Sequence, residues 1–465
     1  MPPLIALLIW LVLLLALLRF DPAREPRTSP TLWIPVIWLF FLGSRLPSQW
    51  ISGQMGQQAE ALEEGDPLNR AISIVLILLA IGILLSRSFR WSAFLSRNLA
   101  LTVFLFFALV SAFWSDFPFV AFKRWWRDLG NYLMIFLILS DPRPLQAFRA
   151  VFRRLGYLLI PLSILLIKYF VYNGRHYDLW SGAVENVGAA TSKNTLGVMC
   201  LLCGLFFFWD TLLCWPARKT RGMKQKILVD AAFMAMTIWL LDVSSSATSR
   251  ACLAIGCLVI LAIHRKKMPR YARLLKLLIP VTFLLYVTLA FGFGMLGDFA
   301  ATVGRDPTLT DRTKIWSVLL SVKINPVVGT GYESFWLGSR LDQVWAQWPG
   351  INEAHNGYLA VYLNLGLLGL FILSAFLIAS YRNIWKGLNR ASSLGSFTLG
   401  VWTVLMFYNL TEAALGTGVL WLALLPGALA PTELVENEVQ VAASDNADAT
   451  EGLPSLPAKA TGQWR

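Results

Sequence analysis

The sequence predicts an all-α polytopic membrane protein with about 12–13 transmembrane helices. Of its 465 residues 56% are hydrophobic, the mean hydropathy is +0.59, and only 14% are charged, whereas an ordinary soluble domain carries about 25% charged residues. A chain this apolar cannot bury its side chains in a water-soluble core. Apolar runs recur from residue 3 to residue 430, and a helix crosses lipid with its own backbone hydrogen bonds satisfied.

The apolar runs define candidate spans along the chain. The run at 129–140 is short, and the last two runs could form one re-entrant pair. No basic residue precedes the first run and Arg19 follows it, which is typical of an uncleaved anchor and not of a signal peptide. The candidates lie near residues 3–19, 31–47, 71–86, 98–114, 129–140, 155–171, 195–216, 228–243, 250–264, 274–296, 355–380, 395–409 and 413–430.

Basic residues concentrate in alternate connections between these spans. Six short loops hold 24 of the 40 Lys and Arg residues, and few acidic residues oppose them. Cytoplasmic loops carry such an excess, so these loops are expected inside the cell, and the net charge of +13 does not indicate a nucleic-acid partner. The loops lie near residues 19–27, 87–97, 143–154, 218–226, 265–276 and 382–390.

We expect one polytopic membrane domain, residues 1–430, followed by a tail. Within it, residues 297–354 form the longest connection between spans and lie on the predicted outer side. Residues 431–465 combine several acidic side chains with few bulky apolar ones. This composition predicts a disordered cytoplasmic tail.

The long outer loop has a pattern of its own. Around Thr310–Lys323 apolar residues recur at helical spacing, which predicts a helix. Gly329 and Gly331 then predict a turn, and an aromatic stretch follows it. Such a segment can fold over the membrane face with its apolar side buried.

Several cations lie at predicted outer ends of spans, where the charge rule does not place them. Each has an ordinary explanation: Lys123 and Arg127 could be interfacial anchors with snorkelling side chains, and Arg250 could belong to a capped helix start. Together on one side, they predict a shared anionic ligand. A lipid-linked diphosphate fits, because guanidinium groups bind phosphate oxygens in pairs. These cations are Lys123, Arg124, Arg127, Lys193, Arg250, Arg305, Arg312 and Lys314.

His355 is the histidine best placed for chemistry, at the junction of the long outer loop with the next span. A neutral imidazole there can accept a proton from a sugar hydroxyl or orient it. The alternative is a capping or packing residue at a helix start. With Asn356 beside it and an Arg-rich loop before it, His355 is our candidate for the acceptor side of a reaction.

The sequence offers no motif for a metal or another cofactor. There is no Asp-x-Asp motif, and no His and carboxylate residues stand at metal-ligand spacing. The C-x-x-C at 200–203 lies in a predicted span and lacks the second ligand pair of a zinc site. We therefore expect a metal-independent reaction without a cofactor, in which several arginines stabilise the leaving group.

Two segments resemble the O-antigen ligase and polysaccharide polymerase superfamily, and within it the exopolysaccharide-polymerising branch. They are TLTDRTKIWSVLLSVKINPVVGTGYESFW and AHNGYLAVYLNLGLLGLF, with further matches in WSDFPFVAFKRW, SKNTLG and SSSATSR. The resemblance runs from about residue 110 to 380. One departure is Asp311, where the family pattern has Gly; this acidic neighbour could pair with Arg312.

The resemblance implies a GT-C-like helical enzyme of the bacterial inner membrane with its active site facing the periplasm. It would take a glycan from an undecaprenyl-diphosphate-linked oligosaccharide and join it to the hydroxyl of an acceptor glycan or lipid A core, in contact with membrane lipid and with polysaccharide export proteins as further partners. By similarity, Arg312 and Arg250 bind the diphosphate, and His355 acts on the acceptor side as base or orienting group. Arg124, Lys193 and Arg305 complete the predicted diphosphate site.

Three functions remain open from the sequence: a polymerase of repeat units, a ligase with the same fold and donor, and a lipid-linked oligosaccharide flippase or transporter. A transporter is expected to hold ionisable groups near mid-membrane in broken helices. Here the unusual cations gather at the predicted outer mouth, which favours an enzyme. The residues do not separate polymerase from ligase, because both use the same donor.

Overall fold

The computed structural model describes residues 1–21, 29–52, 65–87, 91–177, 182–264, 269–292, 312–389 and 393–429. Within these ranges the chain is almost entirely helical, with one two-stranded antiparallel hairpin. The all-α class is therefore confirmed. The predicted tail, 431–465, and Arg305 lie outside the described residues.

Before the hairpin, the described part of the chain forms nine α-helices. Short 3₁₀ turns precede α2 and follow α6. The elements are α1 Pro3–Phe20, α2 Trp33–Gly43, α3 Pro47–Ser52, α4 Pro67–Ser86, α5 Trp91–Arg97, α6 Leu99–Val110, α7 Pro118–Leu139, α8 Pro144–Tyr169, α9 Val171–Gly174, β1 Arg175–Tyr177 and β2 Val184–Asn186.

The second part holds the helices that carry most candidate residues. A π-helical turn ends α13. The elements are α10 Lys193–Cys214, α11 Arg221–Val243, α12 Ala247–His264, α13 Pro269–Val287, α14 Arg312–Ser321, α15 Gly338–Trp345, α16 Gly357–Asn389, α17 Leu394–Tyr408 and α18 Val419–Ala428.

The protein is a multi-pass membrane protein. Among the described residues, seven helices are long and apolar enough to cross a membrane, and an eighth span results if the bent pair α5 and α6 is counted as one. Judged by helix length and composition, these seven or eight spans are fewer than the 12–13 transmembrane helices expected from the sequence. The reason is physical: α7 and α11 each carry more than two charged side chains in their length, and α2, α17 and α18 are too short.

Helix α10 forms the centre of the bundle and packs against α8, α11, α12, α17 and α18. Small residues bring α12 and α17 close together, as in other membrane helix pairs. A Cβ on Gly256 would lie 2.8 Å from Val404 Cγ2, and a Cβ on Gly400 would lie 2.7 Å from Ile260 Cγ1. This tight contact fixes the beginning of α12 beside the turn that follows α17.

The helix predicted around Thr310–Lys323 is present as α14, although residues 310 and 311 lie outside the described ranges. The predicted apolar face is buried, with Ile315 5% and Leu319 0% exposed. This face packs with residues of α15 and the start of α16 in a small core of its own. Packing of this face holds Arg312, the first residue of α14, against the membrane bundle.

A break in α16 anchors the segment after α14. Gly366 has a φ of +66°, and the two residues after it donate backbone N–H groups to the carbonyls of Pro326 and Val327, at 2.9 and 3.0 Å. A Cβ on Gly366 would lie 2.3 Å from the Val327 backbone, so only glycine fits. The predicted turn is confirmed, with φ values of +68° at Gly329 and +97° at Gly331.

Helices α8, α10 and α11 share a buried network of charged side chains. Asp210 pairs with Arg149 at 2.8 Å and with Lys226 at 2.6 Å. Arg153 bridges the two carboxylates of the network, and Lys226 lies 2.9 Å from Asp230. Both aspartates are fully buried, so each charge depends on its partners for compensation.

We expect Asp210→Asn to lower the free energy of unfolding by about 3–5 kcal/mol, because it leaves buried cations without one of their two counter-charges. Asp116→Asn, at a carboxylate with a 67% exposed side chain, is the matched control and should change stability little. Thermal unfolding of the detergent-solubilised proteins measures both. Equal unfolding temperatures for the two variants would contradict the assigned role of the network.

Candidate functional site

The candidate site forms around one carboxylate, Glu412, in the turn between α17 and α18. Its side chain is 6% exposed. Arg312 donates to Glu412 Oε1 at 2.6 Å and also to the carbonyl of Thr411. Asn194 donates to Glu412 Oε2 at 3.2 Å, and His355 Nδ1 lies 3.5 Å from the same oxygen. Glu412 therefore joins α10, α14 and the segment before α16.

His355 lies between two carboxylates. Its Nδ1 is 3.0 Å from Glu353 Oε1 and 3.5 Å from Glu412 Oε2. Both distances are those of ion pairs, but neither contact has the geometry of a hydrogen bond to Nδ1. Its backbone has a φ of +47°, which is uncommon for a residue other than glycine and is found at strained functional sites. We name Asn194, Arg312, Glu353, His355 and Glu412 the Glu412 cluster.

The two carboxylates set the charge of His355. Burial lowers the pKa of the imidazole, but Glu353 and then Glu412 outweigh this effect and raise the pKa from 6.5 to about 9. For Glu353, burial opposes ionisation, but its side chain is half exposed and the charges of His355 and Arg312 lower its pKa. This raised pKa favours the charged imidazole at neutral pH, whereas the sequence suggested a neutral one.

Backbone contacts hold His355 in place. Asn356 caps α16: its Oδ1 accepts the N–H of Leu359 at 3.0 Å, and its Nδ2 donates to the carbonyl of Leu410 at 3.2 Å. Gly357 donates to the carbonyls of Asn409 and Glu412, both at 2.9 Å. Asn356 thus fixes the segment that carries His355 to the turn that carries Glu412.

Arg250 and Lys193 lie near the cluster but contact other carboxylates. Arg250 donates to Asp242 at 3.3 Å, and its side chain is 48% exposed. Thr248, two residues before Arg250, lies 3.2 Å from Thr411 through the two hydroxyl oxygens. Lys193 lies 2.5 Å from a carboxylate oxygen of Glu185 in the hairpin. The loose, exposed pair of Arg250 leaves its guanidinium accessible to an anion.

Arg124 belongs to a different part of the site. It donates to the carbonyl of Glu333 and lines a cavity of about 1100 Å³, named here the α7 cavity. The cavity wall also includes Glu353 and Ala354, so the Glu412 cluster lies at its edge. Other lining residues are Arg70, Lys123, Trp126, Arg127, Tyr332, Glu333 and Trp336.

Sequence reasoning missed Glu412 and Glu353 as members of the site. One signal for Glu412 was available: it is the only Asp or Glu between residues 354 and 430, a region made of apolar runs. An acidic residue between membrane segments is expected to have a partner and a role. No comparable signal singled out Glu353, whose importance follows from the fold.

The fold also gathers ligand-type atoms that the sequence spacing did not reveal. Glu353, His355 and Glu412 offer atoms within 4.8 Å of one another, a geometry that could hold a metal ion. Arg312 and the charged His355 already supply two positive charges to Glu412. A divalent cation would have to compete with both, so the electrostatics favour the cluster as an ion-pair network.

Comparison with known proteins confirms the resemblance noted in the sequence. Residues 231–374 match the model of the O-antigen ligase family, a stretch that includes Arg250, Arg312 and His355. The chain is also 24% identical over 288 residues to the exopolysaccharide production protein ExoQ of Rhizobium meliloti (strain 1021). That match covers 60% of this chain and 63% of the relative, less than two thirds of its length.

The raised pKa of His355 predicts how stability depends on pH. The folded protein holds this proton more tightly than the unfolded chain, so the stabilisation is complete below pH 6.5 and is lost as the pH rises through about 9. The unfolding temperature of the wild type should therefore fall across this window relative to His355→Gln. A difference between the two proteins that stays constant with pH would contradict the charged state.

Proposed function

From the match of residues 231–374 to the O-antigen ligase family, we propose that this protein is a membrane glycosyltransferase of polysaccharide biosynthesis. It would transfer a glycan from an undecaprenyl-diphosphate-linked donor to an acceptor sugar hydroxyl. The Glu412 cluster carries the proposal, because it holds a buried arginine and a charged histidine at the edge of a large cavity, at the ends of membrane helices.

The proposed location follows from the charge pattern. Six basic loops indicate the cytoplasmic side, and the helices α10, α12 and α16 begin at the opposite side with the candidate residues. We therefore assign the protein to the bacterial inner membrane with its site facing the periplasm. A lipid-linked donor can reach such a site from within the membrane plane.

On the donor side, the bond between the anomeric carbon and the diphosphate oxygen breaks, and negative charge builds on the leaving diphosphate. Arg312 has five N–H groups, and its contacts with Thr411 and Glu412 engage two of them. Together with the half-exposed Arg250, it would hold this charge without a metal. Lys193, at the start of α10, would add a further positive charge.

On the acceptor side, a bond forms between the acceptor oxygen and the anomeric carbon, and the hydroxyl proton must leave. A protonated imidazole cannot take it, so we assign His355 the orienting role. Glu353 is ionised, half exposed and part of the cavity wall, and it would accept the proton. The two roles need the 3.0 Å contact between these side chains.

The similarity to an exopolysaccharide production protein favours a polymerase, with a polysaccharide chain as product. The ligase alternative uses the same cluster and donor and differs in its acceptor, lipid A core. Reconstitution with purified lipid-linked repeat units separates the two. A polymerase makes long chains from repeat units alone, whereas a ligase makes product only when the core acceptor is added.

Arg312→Ala and Arg250→Ala should each reduce the rate by about 10²- to 10³-fold, the loss reported for removing one stabiliser of developing charge. Arg→Lys should recover only part, since an ammonium cannot make the two-pronged contact. Arg175→Ala, an exposed arginine of the hairpin, is the matched control and should keep its activity. Full activity of both site variants at normal protein levels would refute the diphosphate assignment.

A second test separates an orienting His355 from a base. We expect His355→Ala to lose about 10²- to 10³-fold in product formation, as for one preorganised donor, with donor affinity retained. His355→Gln should recover part, because its amide still donates. His176→Ala, on the exposed strand β1, is the control and should behave like the wild type.

The pH dependence of the rate completes this test. If the charged imidazole is the working form, the wild-type rate should fall as the pH passes about 9. A rate that increases up to that pH, and loses this increase in His355→Gln, would show instead that the neutral imidazole acts as a base.

A further inference from the structure

The α7 cavity combines aromatic and polar side chains in its wall. Trp126, Tyr332 and Trp336 line it together with Lys123 and Arg124. Its volume of about 1100 Å³ exceeds the upper range of ordinary small-ligand pockets. Aromatic faces beside polar groups suit a ligand with an apolar face and many hydroxyls, which describes a sugar chain.

Glu333 has an unusual backbone in this wall. Its φ is +50°, and it is one of three non-glycine residues with positive φ in the described ranges, together with Ser245 and His355. Two of the three, Glu333 and His355, therefore lie in or at the edge of the same cavity. Such strain costs on the order of 1–3 kcal/mol and persists where the surrounding structure enforces it.

The neighbours of Glu333 enforce this conformation. Two hydrogen bonds fix Tyr332: its backbone N–H donates to Ser111 Oγ at 2.9 Å, and its hydroxyl donates to Asp128 at 3.2 Å. On the other side, Ser334 Oγ lies 2.8 Å from Ser115 Oγ. The side chain of Glu333 is thus held at the cavity by contacts on both flanks.

The carboxylate of Glu333 forms no hydrogen bond or ion pair within the described part of the chain, although it lies in the field of charged neighbours. Burial and then Asp128 raise its pKa, while Arg124 and Arg127 oppose that shift. A strained residue that presents a half-buried carboxylate without a protein partner among the described residues to a cavity is available to a ligand. The ligand should supply hydrogen-bond donors.

The charges of the wall decide which ligand class fits. Arg70, Lys123 and Arg124 are matched in number by Asp66, Glu333 and Glu353 in the same wall, and Arg127 is paired with Asp128 at 3.0 Å. A polyanion such as a diphosphate would meet three carboxylates there. A hydroxyl-rich glycan can donate to the carboxylates and accept from the cations.

We propose that the α7 cavity is the binding site of the acceptor glycan, and that Glu333 accepts hydrogen bonds from its hydroxyl groups. The proposal rests on the proposed function, because it places the acceptor sugar next to Glu353 and the diphosphate donor at Arg312. It also assigns Arg124 to the acceptor and not to the diphosphate.

The test measures binding without turnover. The probe is the repeat-unit oligosaccharide released from the polysaccharide of the producing cell, titrated against the purified full-length protein in detergent. We expect Glu333→Gln to weaken its affinity about tenfold, in the range of one lost charge-assisted hydrogen bond. Binding of the lipid-linked donor should not change. Asp342→Asn, an exposed carboxylate of α15, is the control and should bind both as the wild type does.

A second variant separates a role of Glu333 in ligand binding from a role in the backbone turn. Glu333→Gly removes the carboxylate but adopts the positive φ without strain, so it should raise the unfolding temperature while it weakens oligosaccharide binding as Glu333→Gln does. Wild-type oligosaccharide affinity in either folded variant would overturn the proposal and leave Glu333 as a turn residue. If the wild-type protein binds the oligosaccharide but no lipid-linked donor, the proposed function fails while the glycan site stands.

Discussion

The site depends on one buried carboxylate. Without Glu412, the guanidinium of Arg312 and the imidazolium of His355 would lose a counter-charge that each contacts, and an uncompensated buried charge costs several kcal/mol. Because its partners come from α14, from α10 through Asn194, and from the segment before α16, Glu412 also fixes these elements to one another. The position of the site and its charge state therefore have the same cause.

Buried charges also need counter-charges further along α10. Asp210 lies 16 residues after Asn194, about 24 Å along the helix at about 1.5 Å per residue. There Asp210 and Asp230 compensate three cations within the bundle. Ionisable groups inside a membrane often mark a transport path, but these pair with one another and are not part of the α7 cavity wall. The network is better explained as a link between helices, which agrees with the proposed enzyme, whose chemistry would lie at one end of the bundle.

Some features of this arrangement could be predicted from the sequence, and others could not. The helical class, α14 and the turn at Gly329 and Gly331 were predictable, because each follows from local periodicity or backbone preference. The number of spans is harder to read from apolar runs, because α7 and α11 combine long helices with several charged side chains and α2, α17 and α18 are short. Glu353 and Glu333 could not be found, because their meaning arises only when segments distant in the chain meet around a cavity.

The charge of His355 shows how contacts between segments that are distant in the chain change the chemistry of a side chain. A histidine in isolation suggests a base near neutral pH, yet two carboxylates raise the pKa of His355, and in the proposed reaction Glu353 is the group that takes the proton. In the proposed reaction, cations would face the leaving diphosphate, while the carboxylates of Glu353 and Glu333 would face the sugar hydroxyls. A glycosyl transfer needs this separation, because negative charge develops on the donor side at the moment a proton leaves the acceptor side.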